Sequence, residues 1–247
     1  MKLTSCRTVF RDIGATAVFA LALGIASQAH AQLRGMAYSM GEAIGFASTQ
    51  AGVVVAALKA GDSAGATNSH QEVYRNVPKV LETSQGIIGQ VSRSVESYEA
   101  YASCQRMVQA VGEKWNRYTS LEDPKSSLAT YQSDVYDALV NARDCYTPAL
   151  ARMSPAFAHA YAMGANITTA EVHATLDERH RSTVVGALNV TKQALLNFNA
   201  SIGGNDPKLP VAPIDECIAL ASGSTPLREV QQRIGSVRNS YRTSIVH

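Results

Sequence analysis

Residues 77–118, VPKVLETSQGIIGQVSRSVESYEAYASCQRMVQAVGEKWNRY, decide the fold class. Apolar positions fall at 77, 81, 84, 88, 91, 95, 98, 101, 104, 108, 111, 115 and 118, with Ser84 a weak member. Steps of three and four are the period of a helix, and their persistence predicts one long helix with a coiled-coil-like seam. Pro78 fits its first turn or a kink, and Gly86 and Gly89 weaken it locally. Tyr98, Tyr101, Trp115 and Tyr118 recur at helical spacing and read as core and seam residues rather than a ligand stack.

On the C-terminal side, 119–127 (TSLEDPKSS) reads as a turn. A helix follows from about Pro124 or Ser127 to Thr147, with Leu128, Tyr131, Val135, Leu139, Ala142 and Cys145 on its stripe. Pro148 ends or kinks it, and Ser154-Pro155 opens a short helix over 155–163. Thr168 with Glu171 fits a capping box, which predicts a helix from there to about Asn199. Gly203-Gly204 and Pro207, Pro210 and Pro213 make an irregular connector. A short helix carries Cys217, and Thr225-Pro226 starts a last helix with Leu227, Val230, Ile234, Val237, Tyr241 and Ile245 on one face. On the N-terminal side, 61–68 (GDSAGATN) is a break, and Ser69 with Glu72 marks a new helix start. No stretch alternates as a strand would, and no internal repeat is visible. The expected fold is all-α, an elongated up-and-down helical bundle with one long coiled-coil-like helix. Its parts are a small-residue-rich N-terminal helix and linker over 32–68, a bundle core over 69–200, and a connector with C-terminal helices over 201–247.

Residues 36–60, MAYSMGEAIGFASTQAGVVVAALKA, are the most unusual stretch. Gly41 and Gly45 form a GxxxG, continued roughly by Ala37, Gly52, Ala56 and Ala60. Small-residue ridges let two helix backbones approach closely, in membranes especially. Glu42, Ser48, Thr49, Gln50 and Lys59 make a poor membrane span, so a tightly packed soluble helix is expected, with membrane contact through 36–60 as the rival.

The first 31 residues read as a secretory signal peptide: Lys2, Arg7 and Arg11 lie at the start, Ile13 to Ala26 are uncharged, and Ala29 and Ala31 end an A-x-A. Cleavage after Ala31 would leave Gln32 as the new terminus. Cys6 precedes the apolar run, where a lipid-attachment cysteine would not be. Lys2, Arg7 and Arg11 are three of the 22 basic residues and Asp12 is one of the 20 acidic ones, so the remainder balances at 19 of each. A neutral chain without a Lys/Arg cluster argues against nucleic acid as a partner. Cys104, Cys145 and Cys217 would then meet an oxidising compartment, where two pair and one is left over. Cys104 and Cys145 both lie on apolar stripes joined by one turn. A hairpin centred near residue 121 puts them about two turns out of register, so their pairing needs a turn reaching further along the chain. All three pairings stay open.

Two motifs invite chemistry. Gly61-Asp62-Ser63-Ala64-Gly65 has GxSxG spacing and resembles the nucleophile motif of hormone-sensitive-lipase-like esterases. The resemblance covers five residues, with no HGGG-type loop and no strands before it, so an interhelix linker is expected. His173, Asp177 and His180, at offsets of four and seven, would share one helix face, a spacing that could bind metal with a further ligand from another helix. They are read as histidines satisfied at the bundle core or its edge, so no metal site is assigned. Without CxxC, CxxCH or HExxH, no cofactor and no catalytic residue is expected. What remains is an exported protein, periplasmic or secreted, that is not an enzyme and acts by contacts with other envelope proteins or itself. In outline it is similar to accessory or minor pilus-like components of type IV secretion and conjugation machines, a likeness of architecture alone. The alternatives are a membrane-active or envelope-associated protein using residues 36–60, and a small-ligand or metal binder in the bundle core.

Overall fold

The computed structural model describes residues 9–90, 95–118, 121, 123–204 and 206–246. Helices follow one another without a strand among these residues: α1 (Val9–Ala60), α2 (Ser63–Gln90), α3 (Val95–Lys114), α4 (Pro124–Tyr131), α5 (Asp137–Met153), α6 (Pro155–Ala174), α7 (Arg181–Ser201), α8 (Ala212–Ser222) and α9 (Leu227–Ser244). The fold is all-α, as the seams require.

The long helix is α1, not the 77–118 segment. A Cβ on Gly112 would meet Val77, and the Tyr101 hydroxyl donates to the Ser84 carbonyl, 3.3 Å away. Both pairs centre on residues 91–94, which lie outside the described residues, so α2 and α3 run antiparallel and the long seam is folded on itself. The period was right and the continuity was not: a hydrophobic stripe repeats in phase on either arm of a hairpin as well as along one rod. Val77, Ser84, Tyr101, Cys104, Val108, Val111 and Tyr118 are buried, whereas Tyr98 is 42% exposed.

Other boundaries also moved. Gly61, at φ +75, makes the left-handed turn that ends α1. Asp62 then accepts from the Gly65 amide at 2.8 Å, so α2 starts at Ser63 and Ser69 lies inside it. Thr168 and Glu171 likewise sit within α6, which is twenty residues long rather than the short helix expected. The capping-box pattern at both places is satisfied by interior residues, because the real caps lie upstream at Asp62 and at Ser154-Pro155. Pro148 lies inside α5, which continues to Met153. Between α4 and α5 a π-turn spans Gln132–Tyr136. It absorbs the two successive steps of four at Tyr131, Val135 and Leu139, which would drift about 40° each in a regular helix. Asp123 caps α4 through its side chain, accepting from the Lys125 and Ser126 amides.

The C-terminal elements match expectation. Leu227, Val230, Ile234, Val237, Tyr241 and Ile245 are all buried.

Gly41 faces Tyr161, Gly45 faces Ala165 and Thr49 meets Thr169, so α1 and α6 run parallel. They cross through glycine. A Cβ on Gly41 would overlap the Tyr161 carbonyl and lie 3.0 Å from the Ala165 amide nitrogen, one on Gly45 would lie 2.8 Å from Ala165 Cα, and one on Gly164 would lie 3.0 Å from the Glu42 amide nitrogen. The Gly41–Gly45 part of the small-residue ridge is therefore filled by a helix of the same chain, Gly52 faces Tyr136, and Ala56 and Ala60 are exposed.

Opposite this crossing, Cys104 of α3 and Cys145 of α5 form a disulfide with Cα atoms 5.6 Å apart. The connection between Tyr118 and Pro124 stays centred near residue 121, but the arms pair about residue 124, as the 2.7 Å contact of Lys114 Nζ with Asp134 Oδ1 shows, and this brings Cys104 level with Cys145. Closing the 41-residue separation stabilises the fold by about 4 kcal/mol in the chain-entropy account. Cys217 is buried in α8, and burial pushes its thiol up to about 11.

Six tyrosines, Tyr38, Tyr101, Tyr131, Tyr146, Tyr161 and Tyr241, are among the largest fully buried side chains. Each hydroxyl has a partner: Tyr161 donates to the Arg143 carbonyl at 2.8 Å, Tyr241 to the Pro210 carbonyl at 2.6 Å, and Tyr38 to the Arg238 carbonyl at 3.1 Å. Ser84, the weak stripe member, is buried because it meets the Tyr146 hydroxyl at 3.1 Å. A core short of large aliphatic residues is thus filled by rings whose polar ends tie neighbouring helices together.

Candidate functional site

Two clefts carry the polar chemistry of the bundle. The larger, about 930 Å³, opens between α1, α2, α6 and α9. Glu42 lies beneath it with a side chain 8% exposed. A carboxylate so deep in an apolar helix must be paired, because desolvating an isolated charge costs several kcal/mol. Arg242 grips it with Nε on Oε2 and Nη2 on Oε1, both at 2.8 Å, and Arg238 Nη1 reaches Oε1 at 3.1 Å. Arg238 Nε lies 2.6 Å from Glu171 Oε2, linking α1, α6 and α9 in one network. Burial, then the Glu42 charge, raises Tyr38 well above the usual phenol range. The hydrogen bond to Glu42 raises the Arg242 guanidinium.

With its oxygens occupied by three guanidinium donors, Glu42 is no free general base. The cleft lining contains no histidine or cysteine to act beside it. The network can hold helices in register and present Arg242, Lys79 and Glu82 to solvent; it has no nucleophile–base pair. Sequence reading used Glu42 only as an argument against a membrane span. Its usable signal was a lone acid among small apolar residues, which calls for a cation from elsewhere, here α9.

The second cleft, about 640 Å³, lies where α6 turns into α7. The expected single helix over 168–199 is broken there. The α6 helix ends at Ala174, Asp177 caps a single turn over Glu178–His180, and α7 starts at Arg181. On one helix, His173 and His180 would stand about 10 Å apart along the axis. The break brings them together: the two Nδ1 atoms are 3.2 Å apart, with ring centroids at 5.1 Å and planes 25° apart. Burial, and then the charge of His180, lowers the His173 pKa. Asp177 does not join the pair. It accepts from the Arg179 amide at 2.8 Å and binds the Arg179 guanidinium at 2.7 Å, which holds its carboxyl below the usual range. The turn is further fixed by Arg181, whose guanidinium donates to the carbonyls of Ala221, Gly223 and Thr225 and pairs with Glu178.

Gly61-Asp62-Ser63-Ala64-Gly65 forms the turn between two helices, with Ser63 the first residue of α2. A helix precedes it where a nucleophile elbow needs a strand. Among the described residues, no three His, Cys, Asp or Glu side chains are grouped to hold a metal. Comparison of the chain with protein-family models, with curated proteins and with solved structures gives no match.

Proposed function

We propose that this is an exported, non-enzymatic helical protein that acts through contacts with other envelope proteins or with itself. The observation that carries this reading is where packing begins. Among the side chains described, Gln28, Ala29, His30 and Gln32 are exposed and Ala31, Leu33, Arg34 and Gly35 are buried, so a change from exposed to buried coincides with the A-x-A pattern. A chain cut between Ala31 and Gln32 loses Ala31 and keeps Leu33, Arg34, Gly35 and the buried residues that follow. The Cys104–Cys145 bridge suits an oxidising compartment. An accessory or minor pilus-like role in type IV secretion or conjugation is the narrowest form of the proposal and rests on architectural similarity.

The rival use of residues 36–60 as a membrane element has a feature in its favour. Gln28–Ala60 is long and apolar enough to cross a bilayer, with a mean hydropathy of 1.4 in its best window. The same helix, however, is engaged through Gly41 and Gly45 with α6, and insertion would have to strip that contact.

Intact-mass analysis of protein recovered from the cell envelope tests the proposal. A soluble chain starting at Gln32 and lighter by the two hydrogens of one internal bridge is expected. A chain retaining residues 1–31 in the cytosol, with four free thiols, overturns it.

A further inference from the structure

The paired histidines at the α6–α7 turn have a geometry that simple helix capping does not need. We propose that His173 and His180 form a two-imidazole site for a divalent transition metal, Cu²⁺ before Zn²⁺, with solvent in the cleft completing the coordination.

Two ring nitrogens from different secondary-structure elements meet at 3.2 Å. A metal 2.0–2.1 Å from each would see them at an angle of about 100°, between the octahedral and tetrahedral values. In the metal-free protein one Nδ1 donates its proton to the other; when metal binds, the donor ring changes tautomer, its proton passing through solvent to Nε2, so that both neutral rings offer an Nδ1 lone pair. A modest rotation of both rings about their Cβ–Cγ bonds turns the two lone pairs towards the cleft. Both rings are half-buried on the lining of the 640 Å³ opening, so water and a small ligand can reach the remaining positions. The charges around the cleft balance: Asp62 and Asp177 offset Arg143 and Arg179, so a cation is not repelled. Arg179 is held by Asp177 and Arg143 by Asp144, which keeps both guanidinium groups in carboxylate contacts.

The frame is rigid enough to hold such a site. Asp177 fixes the turn through Arg179, and Arg181 ties it to the end of α8 by three backbone carbonyls. Imidazole favours Cu²⁺, Ni²⁺ and Zn²⁺ over Mg²⁺ or Ca²⁺, and the general affinity order places Cu²⁺ first. With only two protein ligands the site is an open one, suited to metal uptake or to completion by a third group from a partner.

Isothermal titration of the metal-stripped protein with CuCl₂, and separately ZnCl₂, near neutral pH tests this. One equivalent of Cu²⁺ per chain is expected, with affinity falling by at least about tenfold in His173→Ala and in His180→Ala. Electron paramagnetic resonance of the Cu²⁺ form gives a readout that needs no variant: coupling to two imidazole nitrogens is expected. Binding that survives unchanged in the double histidine variant, or a spectrum without two-nitrogen coupling, overturns the proposal, as does absence of binding above that variant's level.

Discussion

The two sides of this bundle are held by opposite means. Along α1 and α6 the contact exists because side chains are missing: Gly41, Gly45 and Gly164 let backbone meet backbone. Between α3 and α5 the contact is made by added matter, a covalent bridge with Tyr101 and Tyr146 packed edge to face at 5.2 Å. The first seam gains dispersion from close approach over a length of helix and tolerates no enlargement. The second gains mostly by restricting the unfolded chain and tolerates adjustment of the helices themselves. Seams of these two kinds fail differently.

The largest expected effect is therefore on the glycine seam. Gly41→Leu or Gly164→Leu must drive two backbones apart, and we expect the loss of a cooperative thermal transition followed by circular dichroism. Gly41→Ala, with one carbon added, should cost about 3 kcal/mol in urea unfolding. Tolerance of leucine at either position would show that the two helices do not meet as described. Removing the other seam's staple in Cys104→Ala/Cys145→Ala should lower stability by about 4 kcal/mol while leaving the helical spectrum intact. An unchanged midpoint in urea would remove the bridge from the account. A smaller effect falls on the network that locks α9 across α1 and α6. Glu42→Gln leaves Arg238 and Arg242 short of a carboxylate, and because their side chains are 21% and 47% exposed, solvent moderates the loss to about 2 kcal/mol.

The finest discrimination is by pH. His70 is 3% exposed, in contact with Tyr131 and Tyr118 beside the stapled seam, and burial lowers its pKa from 6.5 to about 4. Its neutral form is the one the fold holds, so the unfolded chain takes up the proton first. That contribution is complete above pH 6.5 and is lost as pH falls from 6.5 towards about 4. Unfolding free energies measured across this window should decline less steeply in His70→Phe than in the parent. An identical slope would mean that His70 is protonated in the native state as readily as in the unfolded one.

Much of the architecture was legible because hydrophobic periodicity reports which face is buried. It marked the all-α class, the C-terminal helix and seven buried positions of 77–118 (Val77, Ser84, Tyr101, Cys104, Val108, Val111 and Tyr118), but missed buried Val80 and Ile87. It could not tell a rod from a hairpin, since the stripe stays in phase on both α2 and α3. Capping patterns misled at Ser69 and Thr168 because residues able to cap also sit comfortably inside a helix held by tertiary contacts. The GxxxG at Gly41 was visible as a close-approach signal, but its partner was not, as Gly164 lies more than a hundred residues away in an ordinary-looking helix. The histidine pair was noticed for the wrong geometry: it forms because the helix breaks between its members, not because one face carries both. Glu42 was visible, and the arginines that satisfy it were not, since nothing local ties α9 to α1.

The buried thiol of Cys217 bears on how the right bridge is chosen. A chain threaded through a membrane from its N-terminus delivers residues 104 and 145 to an oxidant before residue 217 emerges, so vectorial entry by itself selects the native partner. Once α8 docks, its sulfur is shielded and its thiolate scarce, which blocks later scrambling. Oxidative refolding from denaturant, where all three sulfurs are presented at once, should therefore yield mispaired species that entry of the chain from its N-terminus would avoid.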